Sequence, residues 1–106
     1  MATDELFDIT GKVAAITGGA GVLCSTMAEA LAKRGVKVAI MDIREEAAET
    51  VAARIRGQGG DAIAVQADVL NKASVEAAAQ KIVAKYGRVD ILINGAGGNS
   101  PRATTS

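Results

Sequence analysis

Four short runs rich in Val and Ile, at 13–17, 36–41, 62–66 and 89–93, alternate with three segments of helix length, and this alternation constrains the fold more than any other feature of the sequence. Runs of this length and composition read as strands. In the first intervening segment Leu23, Met27 and Leu31 recur every fourth residue, in the second Ala47, Val51 and Ile55 do, and in the third Val75, Ala78, Ala79 and Ile82 mark one stripe. Each helix is therefore expected to bury a single face. Gly35, Gly57 and Gly87 follow basic residues where each helix should stop, which suits a left-handed cap at the negative end of the helix dipole. Helical crossovers of this length join parallel neighbours, so the order β-α-β-α-β-α-β predicts an α/β layer architecture whose strands are buried on both faces.

A chain of 106 residues, 49% hydrophobic, suffices for one domain with a real core. The boundaries expected are a nucleotide-binding unit over 1–97 and a loop or disordered tail over 98–106, where Asn, Ser, Pro and Thr replace the periodic apolar residues. Twelve basic and twelve acidic side chains cancel without forming a block of one sign, which argues against nucleic acid or a membrane surface as partner. No apolar run reaches the roughly 18 residues of a spanning helix. The single cysteine, Cys24, and the acidic opening residues favour a reducing cytoplasm over an exported setting. A small molecule or a second copy of the chain is the partner expected.

The stretch Thr17-Gly18-Gly19-Ala20-Gly21-Val22-Leu23 leaves the first strand and opens the first helix. Glycine allows so tight a turn, and a bare backbone lets a phosphate approach the unpaired N–H groups at the helix start. Without a ligand, the same residues are simply a strand-to-helix turn. Asp42 stands at the end of the second strand, where a dinucleotide site places an acid on the ribose hydroxyls. A solvated carboxylate or a helix N-cap is the plainer role for it.

The segments Asp8-Ile9-Thr10-Gly11-Lys12-Val13-Ala14-Ala15-Ile16-Thr17-Gly18-Gly19, Asp68-Val69 and Asp90-Ile91-Leu92-Ile93-Asn94-Gly95-Ala96-Gly97 resemble, in order and spacing, the opening half of the short-chain dehydrogenases/reductases. The likeness covers nearly the whole chain. The glycine turn and the stretch from Asn94 look most like the subgroup acting on sugar acids, such as the mannonate/fructuronate oxidoreductases. Two motifs depart from the family pattern. Thr-Gly-x-x-x-Gly-x-Gly would place glycine at 22 and 24, where this chain has Val22 and Cys24, and Asn-Asn-Ala-Gly reads here as Asn94-Gly95-Ala96-Gly97. Gly21 can supply the bare backbone one residue early. Cys24 is small enough for close packing of helix on strand, with a reactive thiol as the sharper alternative.

The resemblance implies a Rossmann-type parallel sheet of order 3-2-1-4 with helices on both faces, ending after the fourth strand. It implies a cofactor held by Gly18, Ala20, Gly21, Val22 and Leu23 at the pyrophosphate, and by Asp42 and Ile43 beside the adenosine ribose. Asp68 and Val69 would meet the adenine, and Asn94, Gly95, Ala96 and Gly97 would lead toward the nicotinamide. Asp68 read alone is a helix-start acid, and the other four a loop. A carboxylate at position 42 and a glycine turn without basic residues favour NAD over NADP, because a 2′-phosphate is repelled and finds no cation. Arg44 is close enough to reach such a phosphate, or it pairs with Asp42 or Glu45.

By resemblance the activity is hydride transfer between nicotinamide and a carbonyl or alcohol. The family's serine, tyrosine and lysine have no counterparts in this sequence, so cofactor binding without turnover is expected, with no catalytic residue and no metal assigned. Tyr86 is the only tyrosine, and Asp90, four residues on, would raise its pKa. Tyr86 instead continues the stripe from Ile82 as packing. A non-catalytic nucleotide-binding or self-assembling module is the alternative. A fourth strand at the sheet edge exposes Val89, Ile91, Leu92 and Ile93 beside unpaired backbone, so homo-oligomerisation is expected.

Overall fold

A computed structural model describes residues 8–95. The strands are β1 (Val13–Thr17), β2 (Lys37–Asp42), β3 (Asp61–Gln66) and β4 (Ile91–Asn94), joined by α1 (Val22–Lys33), α2 (Glu45–Gly57) and α3 (Lys72–Tyr86). All pairings are parallel and the sheet order is β3-β2-β1-β4. This is the α/β layer architecture that the alternation predicts, in the Rossmann-type order that the resemblance implies. Among the described residues no helix is long and apolar enough to cross a membrane.

Strand alternation sorts the core into two layers. Ala14 and Ile16 of β1 and Val38 and Ile40 of β2 point to one face, where Ala28 of α1 and Ala48, Val51, Ala52 and Ile55 of α2 cover them. Val13 and Ala15, with Ala39, Met41 and Val65, point to the other, under Ala78 and Ile82 of α3. The first two crossovers step the same way along the sheet and lie on one face. The third returns past β1 and lies on the opposite face, as right-handed connections require.

Five expectations need correction. Leu23 and Met27 are exposed, and α1 buries Ser25 and Ala28 instead, because small side chains let the helix sit close to the sheet. In α3 it is Ala78 and Ile82 that are buried, while Ala79 is exposed and Val75 only half-buried. The second helix runs through Gly57 and is capped by Gln58, with the left-handed backbone at Gly59 rather than Gly57. Burial on both faces holds for β1 and nearly so for β2. In β4 Leu92 is 68% exposed, since the register that pairs it with Ala15 points it to the α3 face beyond that helix's cover. Strand ends also move: the second strand begins at Lys37 and the fourth at Ile91, not Val89.

Candidate functional site

The carboxyl ends of all four strands are tied to one another by hydrogen bonds, and the described residues among the cofactor-site candidates lie there. β1 ends at Thr17, and Gly18 then adopts a φ of 65°, a left-handed conformation that glycine adopts without strain. Gly19 N donates to Met41 O at 3.1 Å, which fastens the turn to the end of β2. A Cβ at Gly19 would lie 2.8 Å from Ile40 Cγ2 and 3.0 Å from Ile16 O, so this glycine is required by packing. Gly21 caps α1, accepting from Ser25 N at 2.8 Å, and places Val22 and Leu23 in the first turn at 84% and 82% exposure. The first N–H groups of a helix lack intrahelical acceptors, so this turn presents donors and a positive dipole end to the space above the sheet.

Asp42 closes β2 and is only 6% exposed. Its Oδ2 accepts from Ala20 N at 3.1 Å, which fixes the glycine turn against the second strand. Its Oδ1 accepts from Arg44 N at 3.0 Å and Arg44 Nε at 3.1 Å, and Arg44 Nη2 reaches Oδ2 at 3.3 Å. Burial alone would push the carboxyl up, but the hydrogen bonds from Arg44 and Ala20 outweigh it and hold Asp42 below the ordinary carboxylate range. Asp42 is thus neither solvated nor an N-cap, a place taken by Arg44, and of the two roles open to Arg44 the structure shows the pairing with Asp42. Ile43 follows, exposed at the rim.

Ala67 N donates to Asp42 O at 3.1 Å and carries β3 into Asp68. Asp68 does not cap α3: Asn71 does, accepting from Ser74 N, while Asp68 Oδ1 accepts from Leu70 N at 3.0 Å in a local turn. One carboxylate oxygen therefore stays free of that turn, next to the exposed Val69. At the end of β4, Asn94 Oδ1 accepts from Thr17 Oγ1 at 2.8 Å, and Gly95 N donates to Thr17 O at 2.9 Å. Ala96 and Gly97 lie outside the described residues.

Cys24 and Gly95 face each other. A Cβ on Gly95 would lie 2.1 Å from Cys24 Sγ and 2.8 Å from Thr17 O. The departures at positions 24 and 95 are therefore one packing arrangement, in which a side chain at 24 fills what a side chain at 95 would need. Sequence reasoning treated them separately because they stand 71 positions apart in the chain.

Tyr86 lies at the other end of the sheet. Its hydroxyl donates to Asp61 Oδ1 at 2.7 Å, and Lys37 Nζ lies 5.9 Å from the ring centroid. Asp61 and Lys37 begin their strands, so at about 3.3 Å per residue Tyr86 is roughly 16 Å from the level of Asp42. Burial, then the bond to Asp61, raises its pKa. The carboxylate named from spacing, Asp90, instead accepts from Val13 N at 2.9 Å and Arg88 Nε at 2.7 Å. Among the described residues no cluster of ligating side chains could hold a metal ion.

The short-chain dehydrogenase family model matches residues 12–106. The chain belongs to that family. It is 52% identical over 98 residues to an uncharacterised oxidoreductase of Bacillus subtilis, with 92% of this chain and 35% of the relative covered. It is 40% identical over 97 residues to a D-threitol dehydrogenase of Mycolicibacterium smegmatis, covering 92% of this chain and 37% of the relative. A crystal structure with bound NAD, provisionally described as a D-mannonate oxidoreductase from Haemophilus influenzae, superposes with a TM-score of 0.83 at 42% identity over 91% of this chain and 34% of that one. The chain spans about a third of the length of the curated relatives it matches.

Proposed function

We propose that residues 1–97 form the NAD-binding part of a short-chain oxidoreductase, with a sugar acid or related polyol as the substrate class of the whole enzyme. The observation that carries this is the buried, ionised Asp42 aimed at the glycine turn and bonded to Ala20 N. Bare backbone at Gly18 and Gly21, the donors opening α1 and a carboxylate at the end of β2 fit a dinucleotide: phosphates at Ala20 to Leu23, ribose hydroxyls on Asp42 beside Ile43. Asp68 and Val69 then border the adenine, and the stretch Asn94 to Gly97 leads toward the nicotinamide. The NAD in the related crystal structure supports the choice of cofactor.

A bound nicotinamide supplies the hydride acceptor or donor, and the residues described here bind and orient it. Tyr86 cannot act as its proton donor, being committed to Asp61 at the opposite end of the sheet. Cofactor binding without turnover is accordingly the activity proposed for these 106 residues. The exposed Leu92 on the outermost described strand favours self-association as a second property of the chain.

Titration calorimetry with NAD and NADP tests the reading. NAD should bind the tighter, and Asp42→Ala should weaken it about tenfold or more, since a hydrogen bond to a charged acceptor is worth roughly 1.5–3 kcal/mol. NADP binding equal to or tighter than NAD, or NAD binding indifferent to Asp42→Ala in a folded variant, would sink it.

A further inference from the structure

The Asp42 carboxylate is already fully engaged within its own chain. Oδ2 accepts from Ala20 N and Arg44 Nη2, and Oδ1 from Arg44 N and Arg44 Nε, at 3.0–3.3 Å. An ionised carboxylate offers about four lone-pair positions, so no acceptor is left for a pair of ribose hydroxyls. The donors differ in how easily they leave. Ala20 N and Arg44 N are backbone, fixed by the glycine turn and the end of β2. The guanidinium sits on a side chain that is 62% exposed, over a carboxylate only 5% exposed, and can rotate into solvent without disturbing the fold.

Resting on the NAD-binding reading above, we propose that Arg44 is a latch on the ribose-binding carboxylate: its guanidinium closes Asp42 in the free chain, and a ribose diol must displace it to bind. The same displaced cation then stands at the ribose edge, where it favours a 2′-phosphate. Arg44 thus opposes NAD and assists NADP, and it narrows a discrimination that an unpaired carboxylate would make wide. The Asp42–Arg44 pair is also neutral as a unit, so the repulsion of a phosphate is weaker than Asp42 alone would exert.

The latch predicts an effect opposite to that of an ordinary binding residue. An exposed ion pair is worth enough to change affinity about 1.5- to fivefold. Removing it in Arg44→Ala should tighten NAD by about that factor and weaken NADP by a similar one. Arg44→Lys keeps the charge but loses the planar fork, so NAD should tighten as in Arg44→Ala while NADP stays near the parent value. The test is calorimetry of both cofactors on the 106-residue chain at fixed salt, with circular dichroism verifying the fold of each variant. NMR of the arginine side chains adds a second readout: the Arg44 Nε–H should be protected from exchange in the free chain and lose that protection when NAD saturates. NAD binding that depends on Asp42 but is unchanged or weakened by Arg44→Ala overturns the latch alone. No NAD binding by either the parent or Arg44→Ala overturns both the latch and the reading beneath it.

Discussion

Gly95→Ala probes the junction of β1, β4 and α1 with a single carbon atom. That Cβ would sit 2.1 Å from Cys24 Sγ and 2.8 Å from Thr17 O, against an optimum of about 3.5–4.0 Å for nonbonded carbon. The thiol can give way by leaving its rotamer, at a cost of roughly 0.5–1.5 kcal/mol. Thr17 O cannot, because it is backbone and accepts from Gly95 N at 2.9 Å, a bond worth about 0.5–1.5 kcal/mol net. The two together give a destabilisation of about 1–3 kcal/mol, in the range of other overpacked sites. For a domain of this size that lowers Tm by roughly 4–8 °C per kcal/mol. Cys24→Ala removes Sγ and keeps the Cβ, which stands an unstrained 3.6 Å from the added carbon. Gly95→Ala should therefore cost less in the Cys24→Ala background, by about 0.5–1.5 kcal/mol, with the remainder coming from Thr17 O. Urea denaturation of the four proteins in the cycle measures this. Effects that add within about 0.5 kcal/mol would refute the facing arrangement of Cys24 and Gly95.

Leu92→Lys should reduce self-association, read by light scattering over a dilution series, with a stability change within about 0.5 kcal/mol because the side chain is already exposed. Ile91→Lys should instead unfold the chain or lower its Tm sharply, since Ile91 packs on the layer beneath α1; equal effects from the two would contradict the register. The raised pKa of Tyr86 gives the folded state a contribution that is complete below the unfolded value of about 10 and lost as pH rises through the folded one. An alkaline loss of stability that Tyr86→Phe diminishes is expected in thermal melts from pH 8 to 12. The depressed pKa values of Asp42 and Asp90 work the other way: their contribution is present above about pH 3.9 and lost as pH falls through the folded values, so Tm should decline on acidification below about 4.

Much of the fold was legible because each strand is a run with its own composition and each crossover a periodic segment, so order and parallel pairing followed from local signals. The sheet order 3-2-1-4 came with the family resemblance rather than from periodicity. The face of α1 was misread because Leu23 and Met27 carry most of its hydrophobicity, whereas close packing against the sheet selects Ser25 and Ala28. Gly57 misled because any glycine beyond a basic residue looks like a cap, and only backbone geometry shows that the left-handed residue is Gly59. At the site, Asp42 was found from its distance to the glycine turn. Its saturation by Arg44 and Ala20 was not, because a hydrogen-bond count needs coordinates. The same holds for Tyr86, whose partner proved to be Asp61, 25 residues away, rather than the nearer Asp90.

The claim that the carboxyl ends of the strands form an NAD site is tested most directly by amide chemical-shift mapping of the chain during an NAD titration. The account predicts saturable shifts at Ala20, Val22, Leu23, Asp42, Ile43, Asp68, Val69 and Gly95, with Lys37, Asp61 and Tyr86 at the opposite end of the sheet unmoved. Shifts confined to that opposite end, or an Ala20 amide indifferent to saturating NAD, would contradict it.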